Sequence, residues 1–206
     1  MSLRGGEHGR TLGGLLFEVV LIAVGVFLAL WANNWHEDRE HRAQAKAALR
    51  NFLGEMEGNR DATQGSRSYH ETLYAKLDQF LKNKEAPATE ELFYEAIEWK
   101  GLQPVTYEHT AWDLALATQA LSYLKPDLAF DISKVYTDQA AIQTLENSFL
   151  ASAFMPSSML RENITGMATA MKFYLGDVNQ KEPAILDRYS KVIPEVQNAL
   201  GVKADR

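Results

Sequence analysis

His36, Glu37, Glu40 and His41 crowd four metal-ligating side chains into six residues. On a helix Glu37 and His41 share a face, but His36 and His41 stand five apart and do not. A zinc-protease helix needs two histidines four apart around a glutamate, and that spacing is absent. A solvated polar collar is therefore expected. His70 and His109 have no partner close in sequence and are expected as packed or surface residues, not catalysts. Met155, Met159, Met167 and Met171 fall within 17 residues. Such a group could bind soft copper or line an adaptable groove. No histidine stands near them, and Met167 and Met171 lie on an apolar stripe, so core packing is expected. Ser157 and Ser158 lack the Gly-x-Ser-x-Gly frame of a nucleophile and should cap a helix. Asn163 meets the glycosylation pattern but falls in an expected helix. There is no phosphate-binding glycine loop. The absence of cysteine excludes disulfides, thiolate metal sites and cysteine nucleophiles. No metal, no cofactor and no enzymatic activity is expected.

Glu18 remains. It lies in Leu12–Ala32, 21 residues with no other charge, about 32 Å of helix. That length matches a hydrocarbon core of roughly 30 Å. Between Val19 and Ala32 nine Val, Leu, Ile or Phe residues each favour insertion by ~0.3–0.6 kcal/mol near the centre. A central acidic residue costs ~2.5–3.5 kcal/mol, and Glu18 is off-centre, where the cost is smaller. Insertion wins. Trp31 and Trp35 then fall at the far interface as aromatic anchors. A cleaved signal peptide is the rival, but a small-x-small site is missing, since Leu30 and Phe27 occupy the −3 positions before Ala32 and Ala29.

Glu18, Ile22, Gly25, Ala29 and Asn33 succeed one another at helical spacing and form one stripe. Gly25 and Ala29 would let a second helix approach closely, and a carboxyl group on that stripe would face protein instead of lipid. The stripe is expected to be a helix–helix interface, with Glu18 reaching for the near interface as the simpler alternative.

Those residues need a scaffold, and the totals bound it. The chain has 206 residues, 46% hydrophobic and 23% charged, which suits one domain plus an anchor. Residues 1–35 hold two basic and two acidic residues, so the net charge of −6 belongs to residues 36–206. An acidic domain without a basic patch excludes nucleic acid as an expected partner. The expected divisions are a short arm at 1–11, a transmembrane helix at 12–35 and a helical domain at 36–206.

No proline interrupts residues 36–82, so the anchor helix should continue outward to about residue 82. Leu49, Phe52, Met56, Asn59, Thr63, Ser66, His70, Leu73, Leu77 and Phe80 fit a 3.5-residue template with apolar ends and a polar middle. That pattern predicts a helix packed in a bundle, not an ideal coiled coil. Thr89 should cap a short helix running to Trp99. Leu114, Ala117, Leu121 and Leu124 then fit one helical face. Pro126 suits the first turn of the next helix, with Leu128, Ile132, Val135, Ile142, Leu145 and Phe149 as its stripe. A further helix carries Leu160, Ile164, Met167, Met171 and Tyr174. Pro183 should open the last one, with Ile185, Tyr189, Val192 and Val196; Pro194 should kink or restart it and Gly201 end it. No alternating strand appears. The expected fold is all-α, a bundle of about four to six helices.

The stretch EVVLIAVGVFLALWANNWHEDREHR (18–42) resembles a family of uncharacterised bacterial single-pass membrane proteins. The shared residues are Glu18, Gly25, Val26, Leu28, Ala29, Leu30, Asn33, Asn34 and Trp35. TAWDLALATQALSYLKPDLAFDISKVY (110–136) is similar to the downstream segment of that family. The family often has glycine near Gln119, so the helix here is expected to run on where others turn. Basic residues flank both ends of the span, Arg4 and Arg10 before it and Arg39, Arg42, Lys46 and Arg50 after it, and leave orientation open. The resemblance implies an N-terminal anchor in the bacterial inner membrane with the domain in the periplasm. It carries over no activity. The expected function is protein–protein assembly, as a homo-oligomer or an accessory subunit of a larger membrane complex, with lipid and other membrane subunits as partners. The alternative is a sensor-like module that binds a small ligand and works through a partner.

Overall fold

The computed structural model describes residues 12–83, 89–153 and 164–202. The arm at 1–11, most of the 83–89 loop, and Met155, Ser157, Ser158, Met159, Leu160 and Asn163 lie outside the described residues. The fold is all-α: α1 is Leu12–Lys82, α2 Glu90–Ala96, α3 Thr110–Ala117, α4 Pro126–Ala153 and α5 Ile164–Leu200, with one 3₁₀ turn at Ala120–Tyr123. No strand occurs among the described residues. The chain divides into two compact units, one ending at Gln44 and the other beginning at Ala45.

In the first unit every residue from Leu15 to Glu40 is exposed. The helix there is long and apolar enough to cross a membrane, and none of that apolar segment is buried within the chain.

In the second unit the 3.5-residue template tracks the buried face of α1. Leu49, Phe52 and Met56 enter one apolar cluster with Ile132, Val135 and Tyr189. Leu73 and Leu77 enter another with Phe93, Ile97, Met171 and Leu175. The polar middle is buried as well: Asn59, Thr63 and His70 are closed off from solvent. The helix runs through Gly54, Gly58 and Gly65, none of which packs so tightly that a methyl group would meet a neighbour. Met167 packs at the edge of the second cluster.

Three expectations are corrected. α2 is capped by Thr89, whose Oγ1 accepts from the Leu92 amide, but it ends at Ala96 and not at Trp99, because Glu98 turns to φ +50°. The helix of residues 110–117 does not run on. Gln119 takes a left-handed conformation (φ +56°) and a 3₁₀ turn comes next. The face read as Leu114, Ala117, Leu121 and Leu124 therefore holds only at its end: Leu124 is buried and Leu121 packs against the core, but Leu114 is 49% exposed and Ala117 is exposed, and Ala111, Ala115 and Ala120 are buried in their place. Finally, Pro183 does not open a helix, and Pro194 does not restart one. Both lie inside α5. Each removes one i→i−4 hydrogen bond, but Val178, Glu182, Ile185, Tyr189, Val192 and Val196 stay buried across them, and that continuous face outweighs the lost bonds. Gly201 (φ +75°) ends the helix, with the Val202 amide donating to the Gln197 carbonyl at 3.0 Å.

Candidate functional site

The stripe residues Glu18, Ile22, Gly25 and Ala29 all lie on helical backbone and are exposed. A methyl group built on Gly25 would meet nothing within 4 Å, so no contact among the described residues requires glycine there. Asn33 is drawn into the collar: its amide donates to Glu37 at 2.7 Å. The collar continues with His36–Glu40 at 3.2 Å and Asp38–Arg42 at 3.7 Å, each one turn apart on exposed helix. Glu40 thus faces His36, and Glu37 faces Asn33. Trp31 is exposed, and the Arg39 guanidinium lies 4.9 Å over the Trp35 ring.

The second unit contains a polar belt between its two apolar clusters. His70 Nδ1 is 2.7 Å from Glu182 Oε1, and its Nε2 faces the carbonyls of Leu102 at 3.0 Å and Gln103 at 3.2 Å. Carbonyl oxygens only accept, so Nε2 carries a hydrogen, and Nδ1 shares a second one with the Glu182 carboxyl group. The two side chains form a fully buried pair, with exposures of 0% and 1%. Burial pushes His70 down, but the hydrogen bond and charge of Glu182, aided by the two carbonyls, hold it above its ordinary value. Glu146 is buried beside them. Desolvation pushes its carboxyl up to about 7, against the Val105 amide and the His70 charge.

The belt fastens the connection from α2 to α3. Glu98, Gly101 and Gln103 all have positive φ within six residues, and side chains of α1 and α4 pin the backbone around them. Tyr69 accepts from the Lys100 amide at 2.9 Å and donates to the Gly101 carbonyl at 2.7 Å. Glu146 accepts from the Val105 amide at 3.2 Å. Asn59 exchanges two hydrogen bonds with the Glu108 backbone, at 2.8 and 2.9 Å. Glu55 accepts from the Ala111 amide at 2.8 Å, where no side chain of α3 caps the helix, and from the Tyr136 hydroxyl at 2.7 Å.

Beyond this connection lies a cavity of about 370 Å³, walled by Tyr107, Trp112, Asp113, Tyr136, Gln139 and Gln143 among others. Trp112 and Tyr136 stack at 5.2 Å and 24°. His109, expected to lack a local partner, places Nδ1 2.7 Å from Asp113 Oδ2 on the cavity wall. Gln139 is 2% exposed; its Nε2 donates to the Tyr189 hydroxyl at 2.7 Å, and its Oε1 has no hydrogen-bond partner among the described residues.

Among the described residues no three His, Asp or Glu side chains converge on a point that could hold a metal ion. The chain matches no family model, no curated protein and no solved structure.

The pinned connection and the cavity escape sequence reasoning, yet one signal was present. Asn59, Thr63 and His70 are polar at template positions where a bundle helix ordinarily carries apolar residues, and each of them is part of the belt.

Proposed function

We propose that this protein is anchored in a bacterial inner membrane by the N-terminal part of α1, and that it mediates protein–protein assembly there, with itself or as an accessory subunit of a larger membrane complex. The observation that carries the proposal is the long apolar segment with no burial inside the chain. Apolar surface of that extent requires lipid or protein cover. Gly25 supports contact with a second helix, because glycine costs an isolated helix about 1 kcal/mol relative to alanine and no contact among the described residues repays it. The resemblance of residues 18–42 to an uncharacterised single-pass family supports both the anchor and a periplasmic domain.

The experiment is extraction of the chain at native abundance in mild detergent, followed by mass spectrometry of the proteins that co-purify. A defined larger complex or a homo-oligomer is expected. A monomer without companions would contradict the assembly reading. Orientation is tested with a cysteine at Asn83, an exposed position in a chain that has no other cysteine. It should react with a membrane-impermeant thiol reagent supplied from the periplasmic side; protection until the cytoplasm is opened would reverse the topology.

A further inference from the structure

We propose that residues 98–109, the connection from α2 to α3, form a proton-controlled strap, whose centre is held by the buried cluster of His70, Glu146 and Glu182 in mild acid and released in mild alkali. The proposal is independent of the assembly reading. Among the described residues no backbone–backbone hydrogen bond involves residues 100–108, so only side-chain hydrogen bonds tie this main chain to the bundle. The ends are tied by Tyr69, at Lys100 and Gly101, and by Asn59, at Glu108. The centre is tied by an imidazole and a carboxyl group. His70 Nε2 meets the carbonyls of Leu102 and Gln103, and Glu146 Oε1 accepts from the Val105 amide.

The charge of the cluster sets its grip. His70 and Glu182 share a proton and together carry no net charge. A protonated Glu146 keeps the whole cluster neutral. An ionised Glu146 adds a second carboxylate to a site where its own residue is 1% exposed, and a buried charge without a matching partner is costly. Around Glu146 stand Gln143 from its own helix, His70 from α1, Glu182 and Tyr174 from α5, and Val105 and Tyr107 from the strap. Burial pushes the Tyr107 phenol up to about 12 and raises that of Tyr174 as well, so both stay neutral near pH 7. The Val105 amide and His70 favour an ionised Glu146, but burial is the larger effect and pushes its carboxyl up to about 7. Release of the strap's centre admits water to the carboxylate and relieves that cost. The released segment carries Val105 and Tyr107, both buried in the closed state, and Tyr107 belongs to the cavity wall. Opening the strap therefore opens the cavity.

The test is site-resolved amide hydrogen exchange on the full-length chain in detergent between pH 6 and 8, corrected for the chemical exchange rate at each pH. Val105 should be at least about tenfold less protected than amides in the middle of α4, because it exchanges through a local opening. Its protection should fall about tenfold from pH 6 to 8, the factor for one carboxyl moving from about 7 when closed to its ordinary 4.5 when open. Glu146→Gln keeps an acceptor for the amide without the charge, and the pH dependence should shrink by that factor. Tyr69→Phe loosens one end and should lower protection at every pH with the slope retained. Protection of Val105 equal to that of α4, a value constant from pH 6 to 8, or an undiminished slope in Glu146→Gln would each overturn the proposal. If Glu146→Gln lost its thermal transition, the wild-type comparison of Val105 with α4 would decide alone.

Discussion

His70 and Glu182 are 112 residues apart in sequence and 2.7 Å apart in space. Nothing local announces the pair, and histidine without a neighbouring ligand reads as an ordinary packed residue. Burial is legible in the sequence, since His70 falls on the template face of α1. Charge is not. A buried ion pair adds little net stability over an apolar replacement, but breaking one is severe, because one charge is left unmatched. His70→Ala should therefore destabilise the domain by about 3–5 kcal/mol. The double variant His70→Ala/Glu182→Ala should cost less than the sum of the two single changes, and a double-mutant cycle from urea unfolding measures the coupling. Strict additivity would mean that the two side chains do not act as a pair. Glu146 adds a dependence on pH. Its folded value of about 7 exceeds the ordinary 4.5, so it holds its proton more tightly in the folded state. That contribution is fully present below about pH 4.5 and is lost as pH rises through about 7. His70 is also raised, from 6.5, so its contribution is present below that value and is lost at higher pH, in the same direction. Stability should consequently fall between pH 5 and 8, with Glu146 responsible for on the order of 2–3 kcal/mol. Glu146→Gln should flatten that fall in urea midpoints taken across the range. A variant with the slope of the wild type would show that Glu146 is not the group responsible.

At the scale of elements, periodicity found the buried faces of α1, α4 and α5, and punctuation misjudged two of their boundaries. Pro183 looked like a helix start and Pro194 like a kink or restart, because proline removes a donor and crowds the preceding turn. Sequence inspection weighs that local cost alone. In α5 the buried face passes across Pro183 from one apolar cluster into the other and across Pro194 within a single cluster, and the tertiary gain carries the helix through. Gln119 shows the opposite error. A residue with ordinary helical propensity suggested continuation, whereas the chain turns there at φ +56° to bring Ala120 and Leu124 into the core. Both corrections have measurable consequences. Gln119→Gly relieves a left-handed residue and should stabilise the domain by about 0.5–1 kcal/mol. Pro194→Ala, at an exposed position of α5, should stabilise by about 1–3 kcal/mol by restoring helical propensity and one backbone hydrogen bond. Thermal or urea unfolding reports both. Destabilisation by Gln119→Gly would place a helix across residue 119, and destabilisation by Pro194→Ala would show that a break at that proline is needed.

For the whole molecule, composition and hydropathy were enough to separate an apolar N-terminal segment from an acidic helical domain, because both properties are sums over many residues. The contents of the domain were not legible in this way, because the cavity wall joins residues 107–113 to residues 133–143 through a connection whose path depends on Asn59, Glu55 and Glu146. Assembly through the exposed stripe of the first unit is tested most directly by the size of the assembly in mild detergent for the wild type, Glu18→Ala and Gly25→Leu. Polar contacts between membrane helices contribute ~0.6–2 kcal/mol, so Glu18→Ala should weaken assembly without preventing insertion. Gly25→Leu should disrupt it further, by filling the space at Gly25 where a methyl group would meet nothing within 4 Å. A wild type larger than a monomer, with a graded loss through Glu18→Ala to Gly25→Leu, is the predicted result. An assembly of unchanged size in both variants would contradict it and leave Glu18 as a tolerated residue at the edge of the span.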